Sequence, residues 1–426
     1  MSSKAKTTAT KKEAVPALVP KLRFPGFQNV EEWEIAAIGQ LADYENGKAY
    51  EQDIVENGKY VVVNSRFIST DGAVRKYTNA EHLIAKAGEV LMVLSDLPKG
   101  RALAKCYFVE SDHYYAVNQR VCRLKPSRID GKFLFYTLNR HPRLLAYDDG
   151  LNQTHLSKGG VTECPLCVPP KKPEQQKIAE CLTTLDEVIA GQSQKLDALK
   201  THKKGLMQQL FPREGETLPR LRFPEFQAAP EWESDSLGNI FDTTSGGTPS
   251  RSKKNYWDGN IPWITTSLVN FGVINEAVEF ISEDGLKNSS AKLFPEGTVL
   301  IAMYGQGKTR GQVALLGLEA ATNQACAAVL PHTGIEPYFV FLNLAGRYEE
   351  LRDLSNSGGQ ENLSQGLIRA LPFSYPSDGS EQKKITSCLK SLDDLITAQG
   401  AKLEALKTHK KGLMQQLFPS PEEVEA

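Results

Sequence analysis

Two stretches of this chain are written twice, and that repetition limits what it can fold into more than any other feature. Pro20-Lys21-Leu22-Arg23-Phe24-Pro25 with Phe27-Gln28, Glu32-Trp33-Glu34 and Gly39 returns as Pro219-Arg220-Leu221-Arg222-Phe223-Pro224 with Phe226-Gln227, Glu231-Trp232-Glu233 and Gly238, always 199 positions later. Residues 174–212 align without a gap on residues 381–419 at an offset of 207, with 27 identities in 39 positions. Within them LKTHKKGLMQQLFP recurs letter for letter. Between these blocks the halves diverge almost completely. Like frames around unlike inserts mean two equivalent scaffolds carrying two different surfaces. A dimeric enzyme fused into one chain would repeat its chemistry as well, and this chain does not.

The second repeated block reads as a long helix. Its apolar seam is Ile178, Leu182, Leu185, Ile189, Leu196, Leu199, Leu206 and Leu210, with Gln192 and Lys203 as polar interruptions. The copy runs Ile385, Leu389, Leu392, Ile396, Leu403, Leu406, Leu413 and Leu417, interrupted at Gln399 and Lys410. Steps alternating four and three are the heptad spacing of a coiled coil, in which polar seam residues lower stability and fix register. At 1.5 Å per residue the segment spans roughly 55 Å. Each helix has the other copy as its natural partner, and the chain between them requires an antiparallel pair with pseudo-two-fold symmetry.

The inserts read as mixed α and β. The first offers strands over 59–69, 89–95, 102–110 and 116–125 and a helix over 132–147; the second offers strands over 261–269, 298–304, 312–316 and 324–330 and a helix over 337–354. The order matches, so one α+β fold with different loops is expected twice. The chain then divides into a flexible tail (1–20), a first domain (21–172), a first long helix (173–212), a linker and second domain (213–380), a second long helix (381–419) and a C-terminal tail (420–426).

Length demands two or three domains, and 40% hydrophobic with 24% charged residues is a globular composition. No apolar run is long enough to span a membrane. Residues 1–12 lack the apolar centre of a secretory signal. Seven scattered cysteines point to a reducing cytoplasm rather than a disulfide framework. Cys164 and Cys167 have C-x-x-C spacing, but within a strand-like run over 162–168 buried cysteines are the expectation and no metal site is.

Signatures of catalysis are missing. There is no Asn-Pro-Pro-aromatic tetrad, no Gly-rich cofactor loop opening a βαβ unit and no His-Glu-x-x-His. Residues 302–309 match a relaxed phosphate-loop pattern, yet such a loop must open a helix, and the residues after Lys308-Thr309 read as a turn and a strand. A hairpin tip with Lys and Arg set on a DNA backbone explains it better, since Lys99 and Arg101 stand in the equivalent place of the first half.

The Leu-Arg-Phe-Pro-x-Phe…Trp frame, the Glu-Gln-x-Lys-Ile helix start and the LKTHKKGLMQQLFP ending resemble the specificity subunits of type I restriction-modification systems. So do 245–250 (Ser-Gly-Gly-Thr-Pro-Ser), Trp257-x-Gly259-x-Ile261-Pro262-Trp263, 297–300 (Gly-Thr-Val-Leu), Asn323-Gln324 with its echo Asn118-Gln119, and the short elements 153–157 and 360–364. The first half lacks the Gly-Gly-Thr-Pro and Ile-Pro-Trp stretches. The resemblance covers residues 21–419. It implies two target recognition domains, each reading half of a split DNA sequence, with the paired helices as a ruler between them. It further implies two methyltransferase subunits using S-adenosylmethionine and an ATP- and Mg-dependent restriction motor, with no catalysis and no cofactor on this chain. A net charge of −1 then requires local positive charge or phosphate contacts from the partners.

Arg and Lys suit guanine, Asn and Gln suit adenine. The DNA-contacting candidates are Arg66, Arg75, Lys76, Lys99, Arg101, Gln153 and His155 in the first domain. In the second they are Thr248, Arg251, Lys253, Tyr304, Gln306, Lys308, Arg310, Gln360 and Asn362. Asn118 and Asn323 are read as ties at a strand end, and Trp33 and Trp232 as core anchors. Two rival readings stay open: an orphan or related methylation system without a nuclease motor, and a coiled-coil scaffold for protein partners.

Overall fold

The computed structural model describes residues 18–97, 100–112, 114–213, 215–305, 308–354 and 362–419. The chain forms two compact units. Unit 1 takes residues up to Gln192 together with those from Lys402 onward, and unit 2 takes Ser193–Ala401. The division runs through both long helices, Lys172–Leu210 and Gly379–Leu417.

Unit 1 carries two sheets. A four-stranded antiparallel sheet orders Ala42–Asn46, Val121–Pro126, Val90–Val93 and Cys106–Phe108. A five-stranded sheet orders Ile54–Val55, Tyr77–Thr78, Tyr60–Val63, Tyr115–Val117 and Ile84–Ala85, with Tyr60–Val63 and Tyr115–Val117 parallel. Unit 2 repeats both. Thr243–Ser245, Cys326–Val329, Val299–Ala302 and Val313–Leu316 form the same antiparallel order, extended by Val273–Ile274. Glu279–Ile281, Trp257–Ile264, Ala320–Thr322 and Leu293–Phe294 form the second sheet, again with one parallel pair, Trp257–Ile264 beside Ala320–Thr322. Gly88 and Gly297 both adopt φ +85° in the turn that feeds the central strand, a left-handed conformation that costs other residues a Cβ clash.

Several elements are shorter than the apolar patterning suggests, each for a local reason. The strand expected over 59–69 stops at Val63, because Asn64 Oδ1 accepts from Phe67 N at 2.9 Å and caps the helix Ser65–Ser69. The run 116–125 is two strands in two sheets, interrupted by the turn at Asn118, whose Oδ1 accepts from Arg120 N. Asn323 Oδ1 does the same for Ala325 N. The helix over 132–147 breaks at Arg140, with φ +58°, and restarts at Pro142 as Pro142–Leu145. Its counterpart over 337–354 is likewise two helices, Pro337–Gly346 and Tyr348–Leu354. Residues 162–168 open with the end of a helix, Lys158–Thr162, before the strand Pro165–Val168.

The repeated frame closes each unit in the same way. In unit 1 Arg23 and Trp33 both donate to Glu174 in the first turn of its long helix, and in unit 2 Arg222 and Trp232 both donate to Glu381. Trp33, 4% exposed, packs edge-on against Phe133 and Phe418. Trp232, 3% exposed, packs against Phe339 and Phe211. The tryptophans are core anchors, as expected.

Within each unit the two helical segments run antiparallel. In unit 1 Leu417 shares a core with Ile178 and Leu182, and further along Lys410 meets Asp186 at 2.5 Å. In unit 2 Leu210 shares a core with Ile385 and Leu389, and Lys203 meets Asp393 at 2.5 Å. Every residue of the two heptad seams is buried or half-buried, while most of its helix neighbours are exposed. The seam lysines therefore sit in the seam by pairing with Asp186 and Asp393, which also accept from Tyr136 and Tyr338 of the attached domains.

Candidate nucleic-acid interface

In unit 1 the central strand Val90–Val93 leads into Ser95–Asp96, which pairs antiparallel with Thr154–His155. That ladder brings Arg101, Gln153 and His155 together. The Asp96 carboxylate fixes the loop: Oδ1 accepts from Leu97 N at 2.8 Å and Oδ2 from Ala102 N at 2.6 Å. A Cβ on Gly100 would lie 2.1 Å from Asp96 Oδ2, so any larger residue there would push the carboxylate out of its wrap. Arg140 Nη1 holds the Arg101 carbonyl at 2.6 Å, and Gln153 Nε2 donates to Ser95 Oγ at 2.9 Å. Arg101, Gln153 and His155 are all exposed. Asp149 accepts from the backbone N–H groups of Leu151 and Asn152, which lowers its pKa and shapes the adjoining tip.

Arg66, Arg75 and Lys76 are exposed on a second feature, the helix Ser65–Ser69 and the turn after it. Lys105 ties that turn to the chain beyond Arg101, donating to Asp71 Oδ1 at 2.7 Å. Arg75 is partly committed, since its Nε donates to Gly72 O at 2.9 Å.

Unit 2 rebuilds the first feature with different chemistry. Met303 N donates to Ala325 O and Leu363 N to Met303 O, which sets Asn362 beside Tyr304. Tyr304 is 42% exposed, Lys308 and Asn362 are exposed, and Arg310 is half-buried. The Lys308 carbonyl accepts from Tyr348 OH at 2.6 Å. After Arg310 the chain turns into the strand Val313–Leu316 and no helix opens there, so the phosphate-loop resemblance of residues 302–309 has no structural counterpart. Lys99, Gln306 and Gln360 lie outside the described residues.

Thr248, Arg251 and Lys253 are held more tightly than their sequence suggests. The Thr248 hydroxyl donates to Gln324 Oε1. The Arg251 guanidinium lies 3.7 Å over the Trp257 ring, 5.1 Å from that of Trp263, and pairs with Glu279 at 2.5 Å. Lys253 Nζ donates to Tyr256 OH at 2.8 Å. A guanidinium held over an indole and paired with a carboxylate is pre-oriented, and its planar fork can address a base edge or phosphate. Trp257 and Gln324 are thus part of this surface, although neither stands among the candidates that residue type alone selects. The signal for Gln324 is its echo at Gln119, which likewise ties a loop by donating to Glu51 at 3.1 Å.

Elsewhere in unit 1, Cys164 Sγ lies 3.7 Å from His141 Nδ1, a neighbour that the C-x-x-C spacing does not disclose. Burial pushes the Cys164 thiol up to about 11 and, with Arg143 nearby, His141 down to about 4. Among the described residues no three His, Cys, Asp or Glu side chains are grouped to hold a metal ion. No helix among them is long and apolar enough to cross a membrane.

Residues 30–201 and 230–408 both match the family described as the type I restriction modification DNA specificity domain. The chain is 25% identical over 408 residues to the type I restriction enzyme MjaVIII specificity subunit of Methanocaldococcus jannaschii, covering 92% of this chain and 93% of that one. It is 25% identical over 379 residues to the EcoR124I/EcoR124II specificity subunit of Escherichia coli, covering 86% and 88%. Its fold matches the crystal structure of the type I restriction-modification S subunit from M. genitalium with a TM-score of 0.61 at 19% identity, over 94% and 99% of the two chains.

Proposed function

Because the chain belongs to the type I restriction modification DNA specificity family, we propose that it is the subunit that chooses the DNA address for a methylating and restricting complex. The observation that carries this is one frame holding two unlike surfaces. Arg23–Glu174–Trp33 and Arg222–Glu381–Trp232 are the same construction. The surfaces they support present Arg101, Gln153 and His155 in one unit and Tyr304, Lys308 and Asn362 in the other. Two readers with different side chains recognise an asymmetric, two-part sequence. Phosphate contacts position each reader and the polar side chains specify the bases.

In this reading the chain performs no catalysis. Two methyltransferase subunits supply S-adenosylmethionine chemistry on adenine, and a restriction subunit supplies ATP- and Mg-dependent motor and nuclease activity. A net charge of −1 fits such a division, with the partner subunits contributing much of the phosphate grip.

The experiment is co-expression with the methyltransferase subunit, native mass spectrometry of the product and methylome sequencing of the host. A two-to-one complex and one new split methylated motif is the expected result. A chain that assembles with nothing and leaves the methylome unchanged contradicts the proposal.

A further inference from the structure

The loops that leave the two central strands differ in length and sequence, yet they close in the same way. In unit 1 Val93 N donates to Lys105 O and Ala104 N to Val93 O, both at 3.0 Å. In unit 2 Ala302 N donates to Gln312 O and Gly311 N to Ala302 O, both at 2.9 Å. Ala104 and Gly311 are thus matching anchors, both buried and both left-handed, with φ +54° and +83°. Three residues before each anchor stands an exposed cation, Arg101 in one unit and Lys308 in the other. Val93 and Ala302 lie 209 positions apart but the two cations 207, so the loop of unit 2 is two residues shorter and still keeps its cation in place.

The backbone carbonyl of each cation is held from the same part of the fold, the break between two helices. Arg140, in the break between Gly131–Leu138 and Pro142–Leu145, donates from Nη1 to Arg101 O at 2.6 Å. Tyr348, the first helical residue after the break that ends Pro337–Gly346, donates from its hydroxyl to Lys308 O at 2.6 Å. The donors are themselves fixed. Arg140 is left-handed at φ +58°, and its N–H donates to the carbonyl of the left-handed Ala104 at 2.8 Å. The Tyr348 hydroxyl accepts from Arg352 Nη1 at 3.3 Å, and its ring meets Phe271 edge-on at 5.0 Å. Phe271 is left-handed too, at φ +53°. Three of the five left-handed non-glycine residues among those described therefore surround these two clamps. Such strain persists only where the surroundings over-determine it, and it gathers where a geometry is needed.

Both clamping bonds are at the surface, where one hydrogen bond contributes little to folding. Holding the backbone of an exposed cation does something else: it removes the freedom that would blur the cation's choice of base. We infer that Arg140 and Tyr348 are positioning residues for DNA specificity. Arg140 fixes Arg101 and Tyr348 fixes Lys308, each cation reading one half of the target. The inference rests on the proposed function for the role of those cations, and neither clamp has to touch a base itself.

The test uses the assembled complex and duplexes carrying its split motif, intact or with each single base-pair change in either half. Tyr348→Phe deletes one hydroxyl and keeps the ring on Phe271. It should leave the thermal midpoint nearly unchanged and lower discrimination about fivefold. The loss should fall in one half of the target only, at the base pairs where Lys308→Ala also lowers discrimination. In the Lys308→Ala background Tyr348→Phe should add nothing, because residues that act through one another are not additive. Arg140→Asn tolerates the left-handed backbone but falls short of the Arg101 carbonyl, and should act likewise in the other half, through Arg101. Discrimination lost equally in both halves, or not lost at all, overturns the inference. So do effects that persist in full in the Lys308→Ala and Arg101→Ala backgrounds, or cations whose own removal leaves discrimination intact. A wild-type complex that prefers no split site is a separate failure, that of the proposed function.

Discussion

Arg23 and Glu174 form a buried two-point ion pair, Nε to Oε1 at 2.7 Å and Nη2 to Oε2 at 2.8 Å, joining the first residues of the frame to the first turn of a helix 151 positions away. Arg222 and Glu381 repeat it at 2.8 and 2.7 Å. Two further Arg23 N–H groups go to the Val30 and Glu31 carbonyls, so four of the five guanidinium hydrogens are engaged. Such a pair adds little against an apolar substitute, but losing one partner strands the other charge. Glu174→Ala should therefore cost about 3–5 kcal/mol in urea unfolding, and Glu381→Ala the same. A cost below about 1 kcal/mol would show that water reaches the orphaned arginine.

The loop after the central strand of unit 2 offers the most direct DNA test. Lys308 is exposed and Arg310 stands at the turn beyond it. Replacing both with Ala should weaken binding of the assembled complex to its site by about 1–3 kcal/mol, read by filter binding at fixed salt. Arg101→Ala should act on the other half-site. Unchanged affinity would remove the loop from the interface.

How legible each feature is in the sequence depends on how it is encoded. The long helices are legible because a heptad seam repeats over many residues and the second copy confirms the phase. The paired Asp186 and Asp393 are not, because an aspartate outside the seam looks like any solvated side chain until its partner helix is placed. Element ends are misread at Asn64 and Arg140, where a side-chain cap or one left-handed residue overrides apolar continuity. At the surface proposed to face DNA the types of residue are readable, but the engagement of Arg251 with Glu279 and Trp257 is not. It depends on strands paired at long range, and nothing local in residues 248–253 announces it.

That engagement has its own consequence. Arg251 is more than half exposed yet neutralised by Glu279. Glu279→Gln leaves the guanidinium on Trp257 and frees its charge. Non-specific DNA affinity should then rise, and the slope of log affinity against log salt should steepen by about one unit. An unaltered slope would place Arg251 outside the phosphate path.

His141 supplies a pH dependence with a definite sign. Burial against Cys164, with the Arg143 charge nearby, holds it near 4 in the folded chain, against 6.5 for a free imidazole. As pH falls, the unfolded chain binds this proton first, so the stability contributed is whole above about pH 6.5 and drains away towards about pH 4. The loss at full protonation is on the order of 3 kcal/mol. Replacing the ring with a group that does not titrate removes this term and leaves the carboxylates, most of which act lower. His141→Gln should therefore flatten the thermal midpoint between about pH 6.5 and 4.5 relative to the wild type, whatever it costs at neutral pH. Parallel curves for the two proteins would mean that the imidazole takes up its proton in the folded chain without penalty, with water reaching it past Cys164.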